Sequence, residues 1–334
     1  MKRFKKVTAL FACAAMAASL AACGSSSSEN TSSTAGDGTH YTIGICQLVQ
    51  HAALDAATEG FKAAVIEGLG EANVTFDEQN AQGDTATCST IVTGFVSNGY
   101  DLIMANATPA LQAAVASTTD IPVVGTSVTD YGTALANEDM DPAKGTGINV
   151  TGASDGVDAQ LYVDLTLELV PDVKNVSILY CSAEANSVIQ SDQFIAAMEK
   201  TASDVKCNVY TFADSNDIQA VVTSAIEGAD AVYIPTDNTA ADNMTIITNV
   251  CQPAKMPVIC GEENMCAAGG LATVSISYTE VGRLAGEQAV KILKDGADVS
   301  TIAIAYCSDP VKEYNADYAS AIDFDIPDGF APIG

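Results

Sequence analysis

The stretch GYDLIM at residues 99–104 and the stretch GADAVY at residues 228–233 share one pattern, a Gly-x-Asp turn followed by a short apolar run. Two further pairs occur in the same order along the chain: TIGIC at 42–46 with SILYC at 177–181, and IPVVG at 121–125 with MPVICG at 256–261. Short apolar runs bounded by Gly, Pro and Asp are typical of buried strands. The three ordered pairs therefore predict two similar halves, each with its own sheet.

Helical patterns alternate with the predicted strands, which is typical of βαβ units and a parallel sheet. In residues 53–69, for example, Leu54, Phe61, Val65 and Leu69 fall on one helical face. The predicted strands are 41–47, 74–78, 102–105, 122–125, 176–180, 208–212, 231–234 and 257–260, and the predicted helices are 53–69, 87–97, 109–117, 187–202, 218–227 and 239–250. This alternation predicts an α/β fold of two doubly wound parallel-sheet lobes.

Polar loops follow the predicted strands, at the positions where open parallel sheets bind their ligands. Because Ser, Thr, Asn and Asp are also the residues that helix N-termini prefer, each one alone indicates a cap. Their accumulation at successive strand ends predicts a polar cleft between the lobes. The predicted ligand-binding residues are Gln47, Thr108, Ser127, Thr129, Ser154, Asp155, Asn186, Ser187, Thr236, Asp237, Asn238 and Glu263.

These polar groups favour a ligand that carries both charges. Backbone N–H groups at a helix start favour a carboxylate, and Thr108 before Pro109 fits such a start. An ammonium group needs a carboxylate, which Asp237 or Asp155 can supply. An α-amino acid satisfies both requirements, and we expect Asp237→Ala to weaken its binding more than about tenfold.

The N-terminus predicts export. A basic start at residues 2–6 precedes an apolar run at 7–22 that is too short to span a membrane, as in a secretory signal. Leu20-Ala21-Ala22-Cys23 resembles the lipobox of bacterial lipoproteins, which implies acylation of Cys23 and anchoring at the cell membrane; in the alternative, an ordinary signal, Cys23 is incidental. Residues 23–39 are rich in Ser, Thr and Gly, a composition typical of a flexible tether.

Charge excludes several classes of partner. Removal of residues 1–22 takes away four of the 14 basic residues and none of the 42 acidic ones, which changes the formal charge from -28 to -32. Such an excess of negative charge repels phosphate backbones and anionic headgroups, so we expect no nucleic-acid partner. About 295 residues follow the tether, which favours two lobes over a single core.

Eight cysteines remain beyond Cys13 and Cys23, and their state stays open. An even number outside the cytoplasm permits disulfides, although a body of this size does not need them. A metal site at Cys260 and Cys266 is disfavoured because structural zinc sites usually combine two closely spaced ligand pairs, and both histidines lie far away in sequence. No cofactor is predicted.

An enzyme is also disfavoured. The chain has only two histidines, His40 next to the tether and His51, and it has no nucleophile elbow, no Gly-rich phosphate loop and no Glu-flanked His pair. The stretch from Tyr41 to His51 is better explained as a strand and a binding loop. We therefore predict a binding protein without catalytic residues.

Ten segments spread over the chain together match a known pattern: Ile43–Gln47, His51–Ala57, Glu59–Phe61, Ala107–Ala110 with Gln112, Thr126–Asp130, Val150–Asp155, Asn186–Ser187 with Gln190, Pro235–Thr239, Gly270–Thr273 and Glu280–Arg283. In these segments the chain resembles the type I periplasmic binding proteins of ABC transporters, and within them the tryptophan and tyrosine binding components. Tyr131 and Ala153 depart from the family pattern, as does the ending at residues 314–327. These departures leave the predicted fold unchanged and bear on which ligand side chain the site accepts.

The resemblance implies a multi-strand hinge with three crossovers. Lobe 1 would comprise residues 40–127 and about 277–300, and lobe 2 would comprise about 128–276 and 301–334. In this arrangement the segment 281–293 returns to the first lobe and the segment 302–306 returns to the second. It also implies a monomer whose lobes close on an amino acid and whose closed form is recognised by a membrane permease.

Two alternatives remain within this fold. A sugar ligand is disfavoured because the chain has no Trp and only 6% aromatic residues, and the same composition restrains an aromatic amino acid. Tyr131, Tyr233 and Phe95 are the open candidates for an aromatic wall. A sensor or adhesin would use the same lobes, and the sequence separates it only weakly from a transport component.

Overall fold

The computed structural model describes residues 39–333. The predicted signal at 1–22, the lipidation site Cys23 and nearly all of the 23–39 tether lie outside the described residues. Within residues 39–333, no helix has both the length and the apolar character that a membrane span requires.

The described residues form thirteen strands, numbered in chain order. They are β1 Tyr41–Gln47, β2 Val74–Asn80, β3 Leu102–Asn106, β4 Val123–Thr126, β5 Val150–Ser154, β6 Asn175–Cys181, β7 Lys206–Phe212, β8 Ala231–Ile234, β9 Val258–Cys260, β10 Ala272–Ser275, β11 Ala305–Tyr306, β12 Val311–Tyr314 and β13 Ala331–Pro332. All eight predicted strands are present, with small changes at their ends.

Twelve α-helices occur in the same part of the chain. They are α1 Ala52–Leu69, α2 Thr85–Asn98, α3 Thr108–Ser117, α4 Tyr131–Ala134, α5 Ala159–Leu169, α6 Ala185–Thr201, α7 Ile218–Ala225, α8 Asn238–Asp242, α9 Met244–Cys251, α10 Glu263–Gly269, α11 Tyr278–Asp295 and α12 Ala316–Ala321. The predicted helix 239–250 is in fact two helices, because the backbone of Asn243 leaves the helical region between them (φ -117°, ψ 18°).

The two sheets repeat each other. The first has the order β11-β5-β4-β3-β1-β2 and the second β13-β12-β10-β9-β8-β6-β7, so each contains a five-stranded parallel unit in the order 2-1-3-4-5. In the second sheet β12 pairs antiparallel with β10, and β13 forms the edge beside β12. The paired sequence stretches thus correspond to equivalent strands, and the prediction of two doubly wound lobes is confirmed.

The boundary between the lobes differs from the expected one. The expected boundaries place residues 150–154 and 302–306 in the second lobe. In the structure, β5 (150–154) pairs with β4 and β11 (305–306) pairs with β5, so both strands belong to the first sheet. Gly152 allows this pairing because a Cβ there would lie 2.0 Å from the carbonyl oxygen of Gly125. The chain therefore crosses between the lobes after β5, after β10 and after β11.

Helices α1 and α11 pack closely against each other and orient two loops of the cleft. Gly60 and Gly282 make this approach possible, because a Cβ would come within 2.1 Å of the Thr279 carbonyl oxygen and 1.9 Å of the Ala57 carbonyl oxygen respectively. His51 precedes the first residue of α1, and Tyr278 is the first residue of α11. The packing consequently fixes both residues at the cleft.

Each lobe has an apolar core around its sheet. In the first lobe Ile43, Ile45 and Phe61 are fully buried, and in the second Phe194 stacks on Tyr233 with ring centroids 4.2 Å apart. The eight cysteines of residues 39–333 are free thiols, and this part of the chain contains no group of three or more side chains placed to hold a metal.

Candidate functional site

A narrow cavity lies between the lobes. Its walls come from strand ends and helix starts of both lobes, at the edge where parallel sheets of this order bind ligands. The lining residues are His51, Leu54, Ser127, Thr129, Asp155, Asn186, Thr236, Asp237, Asn238, Ala241, Glu262, Met265 and Tyr278.

Seven of the predicted ligand-binding residues line this cavity. They are Ser127, Thr129, Asp155, Asn186, Thr236, Asp237 and Asn238. Five do not line it: Gln47, Thr108, Ser154, Ser187 and Glu263.

Asp155 lies on the first crossover between the lobes and is 4% exposed. The Tyr278 hydroxyl, which follows the second crossover, donates to its Oδ2 over 2.8 Å. The other oxygen, Oδ1, is buried and has no hydrogen-bond partner among residues 39–333. Burial raises the pKa of this carboxyl, although the side chains of Tyr278 and Thr129 both act to lower it. An open, buried acceptor of this kind favours a cationic ligand group.

Hydroxyl groups lie next to this carboxylate. The Ser154 hydroxyl donates to the Thr129 carbonyl oxygen over 2.9 Å, and this contact ties the loop after β4 to the crossover. The Ser127 hydroxyl oxygen is buried without a partner in the described chain, and the backbone of Ser127 is left-handed (φ 55°). Backbone strain of this kind is concentrated at binding sites. The same end of the cavity therefore offers both an acceptor and a donor.

Asp237 lies in the same cavity but already has partners for both oxygens. The backbone N–H of Cys181 donates to Oδ2 and that of Ala240 to Oδ1, each over 2.7 Å. It is thus the cap of α8 and a link to the end of β6. Burial, together with the neighbouring Glu184 carboxylate, raises the pKa of Asp237 to about 8. Its environment is that of a structural carboxyl, in contrast to Asp155.

Glu184 binds the start of α8 from the second lobe. Its Oε1 accepts from the backbone N–H and the hydroxyl of Thr239, both over 2.8 Å. Its Oε2 accepts from the backbone N–H of Asn238 over 3.0 Å and from the Asn238 side chain over 2.7 Å. The Asn238 Oδ1 then faces His51 Nε2 in the first lobe at 3.2 Å. A continuous polar chain therefore reaches from one lobe to the other.

Glu262 and Glu263 separate at the start of α10. Glu262 lines the cavity and caps the helix by accepting from the backbone N–H groups of Asn264 and Met265. Burial raises its pKa to about 7. Glu263 instead contributes to a different surface pocket, and its backbone N–H donates to Ser275 Oγ over 3.0 Å. The sequence predicts Glu263 as a ligand-binding residue, whereas its neighbour Glu262 lines the cavity.

The other four predicted residues that do not line the cavity are buried. Gln47 accepts from Thr58 over 2.7 Å and donates to Asp55 over 2.7 Å. Ser154 orders the crossover, and its Oγ accepts from the Gly156 N–H over 2.9 Å. Ser187 is fully buried on α6, and Thr108 is buried at the first residue of α3.

Six lining residues were missed by the sequence predictions: His51, Leu54, Ala241, Glu262, Met265 and Tyr278. The position of His51 after β1 was a usable signal, since this stretch was already predicted to be a binding loop. Tyr278 gave no such signal, because β10 before it was not predicted. The proposed aromatic walls lie elsewhere, since Tyr131, Tyr233 and Phe95 are buried outside the lining.

The carboxyl groups in the cavity lining are not balanced by basic side chains. Asp155, Asp237 and Glu262 contribute carboxyl groups, whereas no Lys or Arg of residues 39–333 lines the cavity. A ligand carboxylate would therefore bind neutral donors such as hydroxyl and backbone N–H groups. Leu54, Ala241 and Met265 add an apolar surface. The chemistry of the lining matches a small ligand with an ammonium group and an apolar part.

Comparison with known proteins gives consistent matches. A sequence model of the family described as "ABC transporter substrate binding protein" matches residues 42–329. The chain is 36% identical over 288 residues to a tyrosine-binding protein of Clostridioides difficile (strain R20291), a match that covers 84% of this chain and 80% of the relative.

Two solved structures differ in how well they superpose. The ABC domain from Streptococcus pneumonia in complex with L-Trp is 32% identical, has a TM-score of 0.81, and the match covers 87% of this chain and 97% of that one. The ligand-free, open structure of a substrate-binding protein with adhesive properties from Clostridium difficile is 33% identical but has a TM-score of 0.65, with 88% and 99% covered. Since the identities are nearly equal, the lobes here are arranged more as in the complex.

These matches decide the class of protein. Solved sugar-binding proteins share the fold, at 15% and 18% identity, and show nothing more than the fold. The relatives above 30% identity are binding proteins, which confirms the prediction of a binding protein rather than an enzyme. Proteins of this kind work outside the cytoplasm, as predicted. With a family match across nearly all described residues, the chain belongs to the ABC transporter substrate-binding proteins.

Proposed function

We propose that this protein binds an aromatic L-amino acid, tyrosine or tryptophan, between its lobes and delivers it to an ABC permease. The observation that carries the proposal is the open Oδ1 of Asp155 in a cavity without basic side chains. An α-ammonium group bound there would form a buried, charge-assisted hydrogen bond. The neighbouring Ser127 hydroxyl, which has no partner among residues 39–333, suits the α-carboxylate.

Relatives support the aromatic side chain. One is a tyrosine-binding protein and another was solved with L-Trp, both above 30% identity. The lining agrees with this because Leu54, Ala241, Met265 and the ring of Tyr278 offer a partly apolar wall. A sugar would leave this wall unmatched and would not neutralise the carboxyl groups.

Calorimetric titration tests the proposal. L-tyrosine and L-tryptophan should bind, whereas 3-(4-hydroxyphenyl)propionate, which lacks the ammonium group, should bind at least tenfold more weakly. At a ligand concentration 100 times Kd, the free energy of unfolding should rise by about 2.7 kcal/mol. Equal binding of the two phenols, or tighter binding of a sugar such as rhamnose, would contradict it.

We further propose that Cys23 carries the lipid that holds a monomeric receptor near its permease. The support is the Leu-Ala-Ala-Cys sequence that precedes the Ser-rich tether. Two acyl signals are enough for stable membrane anchoring, whereas a single chain binds only reversibly. The Cys23→Ala variant should move from the membrane fraction to the medium or periplasm, and detection of an unmodified wild-type N-terminus by mass spectrometry would reject the anchor.

A further inference from the structure

His51 connects the two lobes and also faces the ligand cavity. Its Nε2 lies 3.2 Å from Asn238 Oδ1, across the cleft. Its Nδ1 is buried and has no hydrogen-bond partner among residues 39–333. Nothing in the polar chain that begins at Glu184 occupies this second nitrogen.

The hydrogen-bond chain determines which nitrogen of His51 carries the proton. Glu184 Oε2 is a carboxylate oxygen that accepts from the Asn238 side chain, so the amide must present its Nδ2 to Glu184. The amide oxygen of Asn238 therefore points to His51. An oxygen acceptor at 3.2 Å requires a donor, so Nε2 of His51 carries the hydrogen.

The imidazole ring is neutral in this setting. Burial lowers the pKa of His51, although Asn238, Glu184, Asp55 and Asp242 face the ring and oppose that effect. A neutral ring protonated on Nε2 has a lone pair on Nδ1. Because a buried acceptor without a donor is unfavourable, the site favours a ligand that brings an N–H or O–H group to this point.

Nδ1 of His51 is a second unpaired acceptor in the lining, in addition to Oδ1 of Asp155. The carboxyl groups that face His51 belong to Glu184, Asp55 and Asp242, whereas those that face Tyr278 belong to Asp155 and Glu262. Two apolar lining residues accompany the imidazole: Leu54 follows it by three residues in α1, and Ala241 follows Asn238 by three residues in α8. An apolar surface with a single acceptor suits an aromatic ring that carries one donor.

We propose that His51 Nδ1 accepts a hydrogen bond from the ligand's side chain, the phenol O–H of tyrosine or the indole N–H of tryptophan, and that the site thereby rejects phenylalanine. This inference rests on the proposed function, which supplies the ammonium contact at Asp155. Glu184 and Asn238 are positioning residues, because they act by fixing the tautomer of the ring. Sites built to bind a donor discriminate strongly against analogues that lack it.

Titration with matched ligand pairs tests the role of His51. L-phenylalanine should bind at least tenfold more weakly than L-tyrosine, and 3-benzothienyl-L-alanine, in which sulfur replaces the indole N–H, at least tenfold more weakly than L-tryptophan. In the His51→Leu variant the affinity for tyrosine should fall at least tenfold while that for phenylalanine changes less than threefold. The matched control is His40→Leu, since His40 is exposed and its hydrogen bonds within residues 39–333 are to Ala72 and Thr75, and it should preserve both affinities.

The possible outcomes are distinct. Equal affinity of the wild-type protein for tyrosine and phenylalanine would overturn the role of His51 and leave the proposed function intact. Parallel losses for both ligands in His51→Leu would show that the imidazole only holds the lobes together, and would also overturn it. If none of the aromatic amino acids bound, the proposed function itself would fail.

Discussion

Asp155 and Asp237 are two carboxyl groups in one cavity with different surroundings. Both are buried, and the pKa of each is raised by that burial. Asp155 lies on a crossover, holds one hydroxyl and leaves Oδ1 open. Asp237 lies at the start of α8 and accepts a backbone N–H on each oxygen. Under the proposed function, unused hydrogen-bonding capacity, rather than burial or position in a cleft, distinguishes the ligand-binding carboxyl from the structural one.

The largest effect is expected from Asp155→Asn. This variant keeps the shape of the side chain but removes the charge that pairs with the ligand's ammonium group, and breaking a buried pair of this kind costs about 2–5 kcal/mol. We expect affinity for L-tyrosine to fall by about a hundredfold in calorimetric titrations, which corresponds to about 2.7 kcal/mol. The free energy of unfolding without ligand should change by less than about 1 kcal/mol. Unchanged affinity would remove Asp155 from the site.

The next effect concerns folding, and it comes from Asp237→Ala. Loss of a helix cap costs about 1 kcal/mol, and the Cys181 N–H would be left buried without its acceptor at a further cost of about 1–3 kcal/mol. Urea unfolding should therefore show a loss of about 2–4 kcal/mol. Affinity should fall less than in Asp155→Asn. The reverse order of affinities would restore Asp237 as the ammonium partner, as the sequence alone predicted.

The pH dependence of stability should carry the signature of Asp237. Its pKa is about 8 in the folded protein and about 3.9 in an unfolded chain, so the folded state binds the extra proton between these values. Stability is therefore lost as the pH rises through this window. We expect the unliganded protein to lose stability between pH 5 and pH 8 in urea unfolding, and Asp237→Asn to lose less. If the free energy of unfolding changed equally with pH in both proteins, Asp237 would not be the group with the raised pKa.

Much of the fold could be predicted because its signals are local. Apolar runs bounded by Gly-x-Asp turns marked the central strands, and their repetition revealed two equivalent lobes. The outer strands β5 and β10 were missed, since their Gly, Ala, Ser and Thr residues resemble loops in composition. Their burial depends on neighbours such as Tyr131 beneath Gly152, which only the three-dimensional structure brings together.

The site was predictable in outline but not in the assignment of roles. Strand-end loops located seven lining residues, because the carboxyl ends of parallel strands meet at one edge. Asp155 and Asp237 are equivalent by sequence, since both precede helices in polar loops. Only their hydrogen-bond partners, Tyr278 across a crossover and Cys181 on another strand, separate them. Contacts between residues so distant in sequence leave no local pattern.

Adjacent glutamates provide the smallest and most selective comparison. Glu263→Gln should leave the affinity for L-tyrosine within about twofold, because this side chain faces a pocket on another part of the surface. Glu262→Gln lies in the cavity and should weaken binding more, as it removes a negative charge near the ligand's ammonium group. Parallel titrations of the two variants compare identical chemical changes one residue apart. A larger loss for Glu263→Gln would mean that the ligand occupies the other side of α10.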